Sequence, residues 1–89
     1  MAATFHITII STEKKVYEAE ARSLVAPAEH GYVGILPNHA PFMACLGAGT
    51  ITIRDSKGAT TIFTASGKGY IEVSDNKAVL LVGSAELRN

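Results

Sequence analysis

His39 stands six residues before Cys45, and a thiol with an imidazole as its base is the arrangement here closest to a nucleophilic site. Its surroundings point elsewhere. Cys45 lies in Phe42-Met43-Ala44-Cys45-Leu46, an apolar run that predicts a buried structural thiol. Ser66 lacks the first glycine of a nucleophile elbow and has no helix after it, which argues against acyl transfer. Ser66-Gly67-Lys68-Gly69 has the composition of a phosphate loop, yet position 62 is Ile rather than Gly and Gly69, not Ser or Thr, follows Lys68, so a turn is expected. His6, His30, His39 and Cys45 offer no closely spaced ligand pair, so neither a metal nor a cofactor is expected. With no Trp, three Tyr and three Phe, an aromatic platform for carbohydrate is poorly supplied. No residue is expected to be catalytic.

The surface is the remaining place for function. Residues 1–89 suffice for one domain, which at this size buries only about 60 to 65% of its unfolded surface. Charged residues make up 18% of the chain and hydrophobic ones 47%, an apolar surplus that leaves surface available to a partner. A formal net charge of zero gives no footprint for nucleic acid. A single cysteine in so small a domain points to a reducing compartment. The run Ala78 to Val82 is far too short to span a bilayer and the start MAATFHITII has no basic region, so no direct membrane insertion is expected.

The elements that would shape such a surface read mostly as strands. Phe5, Ile7 and Ile9 alternate with His6 and Thr8. Thr50 to Arg54 and Thr60 to Thr64 flank Asp55-Ser56-Lys57-Gly58, and Tyr70 to Val73 and Ala78 to Val82 flank Ser74-Asp75-Asn76-Lys77; both read as hairpins. Frequent turn signals then imply an all-β sandwich or barrel. One segment resists. Ser11 or Thr12 could cap a helix over Glu13 to Val25, with Val16, Tyr17, Ala21, Leu24 and Val25 on one face, and local pattern leaves helix and strand equally open. Phe42 to Leu46 and Ala78 to Val82 are apolar on both faces. Either both are central strands covered by loops, or one outer face docks another protein. Pro37 and Pro41 stiffen the bend that presents His39.

The stretch Gly31-Tyr32-Val33-Gly34-Ile35-Leu36-Pro37-Asn38-His39-Ala40-Pro41 resembles a segment of the epsilon subunit family of rotary F-type ATP synthases. Ser66-Gly67-Lys68-Gly69-Tyr70-Ile71-Glu72-Val73 and the opening Phe5-His6-Ile7 with Ser11 are similar to the same family, so the resemblance covers nearly the whole chain. It implies a flattened two-layer β-sandwich of about ten short strands, with strands around Val16 to Tyr17 and Arg22 to Ala26 in place of the helix. It also implies a non-catalytic rotor subunit of the central stalk, binding the gamma subunit and the membrane c-subunit ring. Such a subunit couples proton-driven rotation to ATP synthesis at the cytoplasmic face of a bacterial inner membrane. By resemblance, Ser11, His39, Ala40, Pro41 and Met43 meet gamma, and the loop Glu29, His30, Gly31 and Tyr32 faces the c ring. Family members usually continue into a helical pair that inhibits ATP hydrolysis; this sequence ends at Asn89, so that inhibition is not carried over. The competing expectations are a stand-alone ligand-binding sandwich, with a concave polar-lined pocket, and a small enzyme using Cys45 and His39.

Overall fold

The computed structural model describes residues 3–88, and within them nine β-strands and no helix. Strand β1 (Phe5–Ile10) keeps the alternation of its sequence: Phe5, Ile7 and Ile9 are buried, while His6, Thr8 and Ile10 point outward. It pairs antiparallel with the first half of β2 (Lys15–Ala28) and parallel with β8 (Lys77–Leu81). Beyond β8 follow β7 (Gly69–Ser74) and β4 (Phe42–Leu46), completing one layer. The other layer is built on the second half of β2, flanked by β3 (Gly31–Ile35) and β5 (Gly49–Asp55), then β6 (Thr60–Ser66) and β9 (Ser84–Arg88). The two layers close a core of aliphatic side chains, with Ile7, Ile9, Ile51, Ile53, Ile71 and Leu80 fully buried, in a body of 36 × 29 × 23 Å. Each such side chain contributes about 1.5 to 3 kcal/mol through burial.

The helix over Glu13 to Val25 does not form. Strand β2 runs for 14 residues and serves both layers, because its register shifts between Ala21 and Ser23. Before the shift Tyr17, Ala19 and Ala21 face inward; after it the inward set is Leu24 and Ala26. One extra residue at a bulge reverses the phase of a strand. That reversal spaces Tyr17, Ala21 and Leu24 by four and three, which imitates one face of a helix. Val25, assigned to the apolar helical face by the sequence, points outward and is 39% exposed. The two separate strands implied for this region are thus one bent strand, and the described residues form nine strands against the expected ten or so.

Both hairpins form as expected. Asp55 Oδ1 accepts the N–H groups of Lys57 and Ala59, each at 2.9 Å, which closes the β5–β6 turn. The β7–β8 turn has Asp75 at φ 51° and Asn76 at φ 60°, the two-residue turn whose twist matches its strands. Asn76 does more than turn the chain. Its Oδ1 accepts the Asn38 N–H at 2.7 Å and its Nδ2 donates to the Thr4 carbonyl at 2.9 Å, so one side chain ties the Pro37–Pro41 bend and the start of β1 to the hairpin. Asn76→Ala deletes both bonds and places a Cβ-bearing residue without Asn's tolerance at positive φ. It is expected to cost about 1 to 3 kcal/mol, seen as a fall in Tm of roughly 4 to 20 °C in thermal unfolding followed by circular dichroism. An unchanged Tm would mean that the tie is not stabilising.

Candidate partner-docking face

The outward side chains of the first layer are set by register. Across β4, β7, β8 and β1, Cys45 stands opposite Tyr70, Tyr70 opposite Leu81, and Leu81 opposite Ile10. The neighbouring row is Met43, Glu72, Val79 and Thr8. Met43 is 63% exposed and Tyr70 42%, and Cys45 is also exposed. One part of this face is therefore a connected apolar surface carrying a single carboxylate, that of Glu72. A contiguous apolar patch on a small domain marks a site of association.

The burial expected for Cys45 is corrected here. Phe42, Ala44 and Leu46 occupy the inward positions of β4, which leaves Met43 and Cys45 on the outward ones. His39 does not reach the thiol. It precedes β4, its Nδ1–H donates to the carbonyl of the next residue, Ala40, at 2.7 Å, and its ring packs edge-on against Phe42 with ring centroids 5.8 Å apart. Cys45 lies three residues farther along the strand than Phe42, roughly 10 Å away.

The other part of the face is charged. His6 on β1 lies between Glu18 and Glu20 of β2, with Nε2 2.6 Å from Glu18 and Nδ1 2.6 Å from Glu20. Lys15 Nζ donates to the second oxygen of Glu18 at 2.6 Å, and the Thr4 hydroxyl donates to Glu20 at 3.3 Å. Hydrogen bonds to Glu18 and then to Glu20 raise the His6 pKa above its ordinary value. Those from Lys15 and then His6 lower that of Glu18. A helix would have turned Glu18 and Glu20 to different sides; the period-two backbone of β2 puts them on one.

The remaining candidates lie around this face. Ser11, immediately after Ile10, uses its hydroxyl to accept from the N–H groups of Glu13 and Lys14 at 3.4 Å, and its own N–H donates to the Lys14 carbonyl at 2.8 Å. It shapes the β1–β2 loop. Asn38, His39, Ala40 and Pro41 sit at the opposite end of the layer, beside the Asn76 turn. The five gamma-facing candidates are therefore dispersed: Ser11 at one end, His39 to Pro41 at the other and Met43 between.

Glu29 and His30 form the β2–β3 turn, and Gly31 and Tyr32 open β3, paired with Ala28 and Pro27. The Glu29 N–H donates to the Cys45 carbonyl at 2.9 Å, and the Tyr32 hydroxyl accepts the Thr50 N–H at 3.2 Å. Strands β3 and β4 share β2 as a neighbour, but β4 meets it at the single pair Ala28–Leu46. Between β3 and β4 opens a groove of about 410 Å³, lined by Glu29 to Val33 and by Phe42 to Cys45. The structure thus brings the loop expected to face the c ring and Met43 together on one groove, which is open rather than a closed polar pocket. Among the described residues no group of three His, Cys, Asp or Glu could hold a metal ion, and no helix is long and apolar enough to cross a membrane.

Sequence reading offered Val79 and Leu81 within the run Ala78 to Val82 but missed Tyr70 and Ile10 as members of the face. The outward neighbours of that doubly apolar run are known only once the register is.

Residues 4–88 match the family described as ATP synthase, Delta/Epsilon chain, beta-sandwich domain. The chain is 38% identical over 87 residues to the ATP synthase epsilon chain of Streptomyces coelicolor, covering 98% of this chain and 69% of the relative. It is 40% identical over 87 residues to that of Leptospira borgpetersenii, with 98% and 67% covered. Against that of Alkalilimnicola ehrlichii it is 40% identical over 83 residues, covering 93% of this chain and 59% of the relative. Among solved structures, a chain of the Euglena gracilis mitochondrial ATP synthase OSCP/F1/c-ring assembly superposes with TM-score 0.88 at 16% identity, covering 96% of this chain and 54% of that one. A chain of the Tetrahymena thermophila mitochondrial ATP synthase central stalk and c-ring gives TM-score 0.76 at 17% identity, with 91% and 64% covered. These two likenesses speak to the fold. The chain spans between about half and about two thirds of the length of the proteins it resembles.

Proposed function

We infer function from family membership: the chain belongs to the beta-sandwich domain family of ATP synthase delta and epsilon chains. We propose that it is a rotor component of the central stalk, without catalytic chemistry of its own. The outward face of β4, β7, β8 and β1 binds the gamma subunit, and the segment Glu29 to Tyr32 contacts the polar loops of the c ring. Through these two contacts the rotation of the ring passes to the stalk and so to ATP synthesis. The domain is held peripherally, through the complex, at the cytoplasmic face of a bacterial inner membrane.

The observation that carries this reading is the connected apolar surface around Met43 and Tyr70, exposed although the core is otherwise closed. The proximity of the segment Glu29 to Tyr32 to Met43 along one groove supports a single site where stalk and ring meet. Ser11, His39, Ala40 and Pro41 act at its margins. The hydrogen bonds of Ser11 within its loop and of His39 to the Ala40 carbonyl suit them to hold the shape of the rim, and affinity then rests on a few central anchors.

Cys45 provides the test. In the free chain its exposed thiol is expected to be alkylated readily by a maleimide under native conditions, and saturating gamma subunit is expected to slow labelling at least tenfold. Labelling at the same rate with and without bound gamma would place the partner elsewhere.

A further inference from the structure

The charged part of the docking face contains an arrangement that only one protonation state satisfies. A neutral imidazole carries one N–H and one lone pair, whereas imidazolium carries two N–H groups. In this structure both ring nitrogens of His6 face carboxylate oxygens at 2.6 Å, from Glu18 on one side and Glu20 on the other. Both contacts are hydrogen bonds only in the imidazolium form. Loss of the proton turns a lone pair toward one carboxylate at the same distance, and that side chain must swing away.

We propose that His6, Glu18 and Glu20 form a proton-operated clasp on the docking face, and that the closed, protonated form is the one that binds the partner. This rests on the reading of that face as the gamma-binding surface. The placement supports it. Thr8, next outward residue to His6 on β1, shares a row with Val79 and Met43, so a partner seated on the apolar rows brings its rim over the clasp.

The charges around the clasp give the sign. From β2 come Glu18, Glu20 and Lys15; from β8 comes Lys77, opposite His6 in the register, with Asp75 in the turn before it; from the segment ahead of β1, Thr4 adds a neutral hydroxyl. With His6 protonated, two carboxylates are matched by His6 and Lys15. Deprotonation leaves one carboxylate uncompensated and free to move. Covering an unpaired charge is unfavourable, so docking favours the protonated state. The raised pKa of His6 agrees: the clasp is fully made below the unfolded-state value near 6.5 and is lost as pH rises through the raised value.

The test is the affinity of purified gamma subunit for the chain, measured by titration calorimetry between pH 6.5 and 8.5. Affinity is expected to fall by roughly threefold to tenfold over that range, a one-unit difference in pKa between free and bound chain being a factor of about ten. In His6→Gln, which has one amide donor and no titration, the fall is expected to disappear. An equal pH dependence in wild type and His6→Gln would overturn the proposal. Should no complex form at any pH, the docking reading itself fails. The clasp is then decided in the free chain by following the His6 imidazole with NMR. Its midpoint should drop in both Glu18→Gln and Glu20→Gln, and a midpoint unmoved by either change would overturn the clasp.

Discussion

Met43→Asp is expected to weaken gamma binding by about thirtyfold or more while leaving the domain folded. Met43 is 63% exposed and points away from the core, so an aspartate there meets water in the free chain. The docked state differs, because the carboxylate would be covered within an apolar row and near Glu72, its register partner on β7. Truncating a central anchor costs about 2 kcal/mol or more, and burying an uncompensated charge adds to this. The check is a binding isotherm alongside a far-ultraviolet spectrum and thermal melt of the variant. Unchanged affinity would remove Met43 from the interface; an unfolded variant would mean that Met43 belongs to the core.

The second large effect concerns the platform. A Cβ built on Gly69 would stand 1.8 Å from the Leu81 carbonyl oxygen, 2.8 Å from its carbon and 3.1 Å from Val82 Cα, all backbone atoms of the adjacent strand or just beyond it. No side chain can rotate to relieve such a contact. Gly69→Ala must therefore open the β7–β8 pairing at the end where Tyr70 and Leu81 form part of the docking face. We expect a loss of about 3 kcal/mol or more, a large part of the roughly 4 to 13 kcal/mol typical for a domain of this length. Tm should then fall by about 12 °C or more in a calorimetric scan. Gly34→Ala serves as the control, since a Cβ at Gly34 meets nothing within 4 Å, and it should melt close to wild type. If Gly69→Ala melted with the control, the close approach of β7 and β8 would be refuted.

Which parts of this were legible in advance follows from how local their causes are. The two hairpins depend on a few adjacent residues, Asp55 to Gly58 and Asp75-Asn76, and their turn chemistry is written in the chain. Strand β2 depends on partners distant in sequence: β1 before the bulge, β3 and β5 after it. Its phase reversal between Ala21 and Ser23 is a tertiary event, and its residue spacing resembles a helix for that reason. The error at Cys45 has the same origin. In Phe42 to Leu46 both alternate sets are apolar, so residue type alone cannot tell which set faces the core; pairing with β7 decides it.

The candidate site divides along the same line. The stiff bend at His39 and the exposed segment Glu29 to Tyr32 are recognisable through family resemblance and punctuation by Pro and Gly. The continuity of the apolar face was not, because it joins residues as far apart as Ile10 and Leu81 through register alone. The clasp was hidden for a further reason. Glu18 and Glu20 converge on His6 only once the segment is a strand, and the sequence left that choice open.

The most direct measurement of the central claim is co-elution of the 9.4 kDa chain with purified gamma subunit on a sizing column with light scattering, at moderate salt. A complex of one chain with one gamma subunit is expected. Separate elution of the two, with both shown to be folded, would contradict the assignment of the β4–β7–β8–β1 face to gamma.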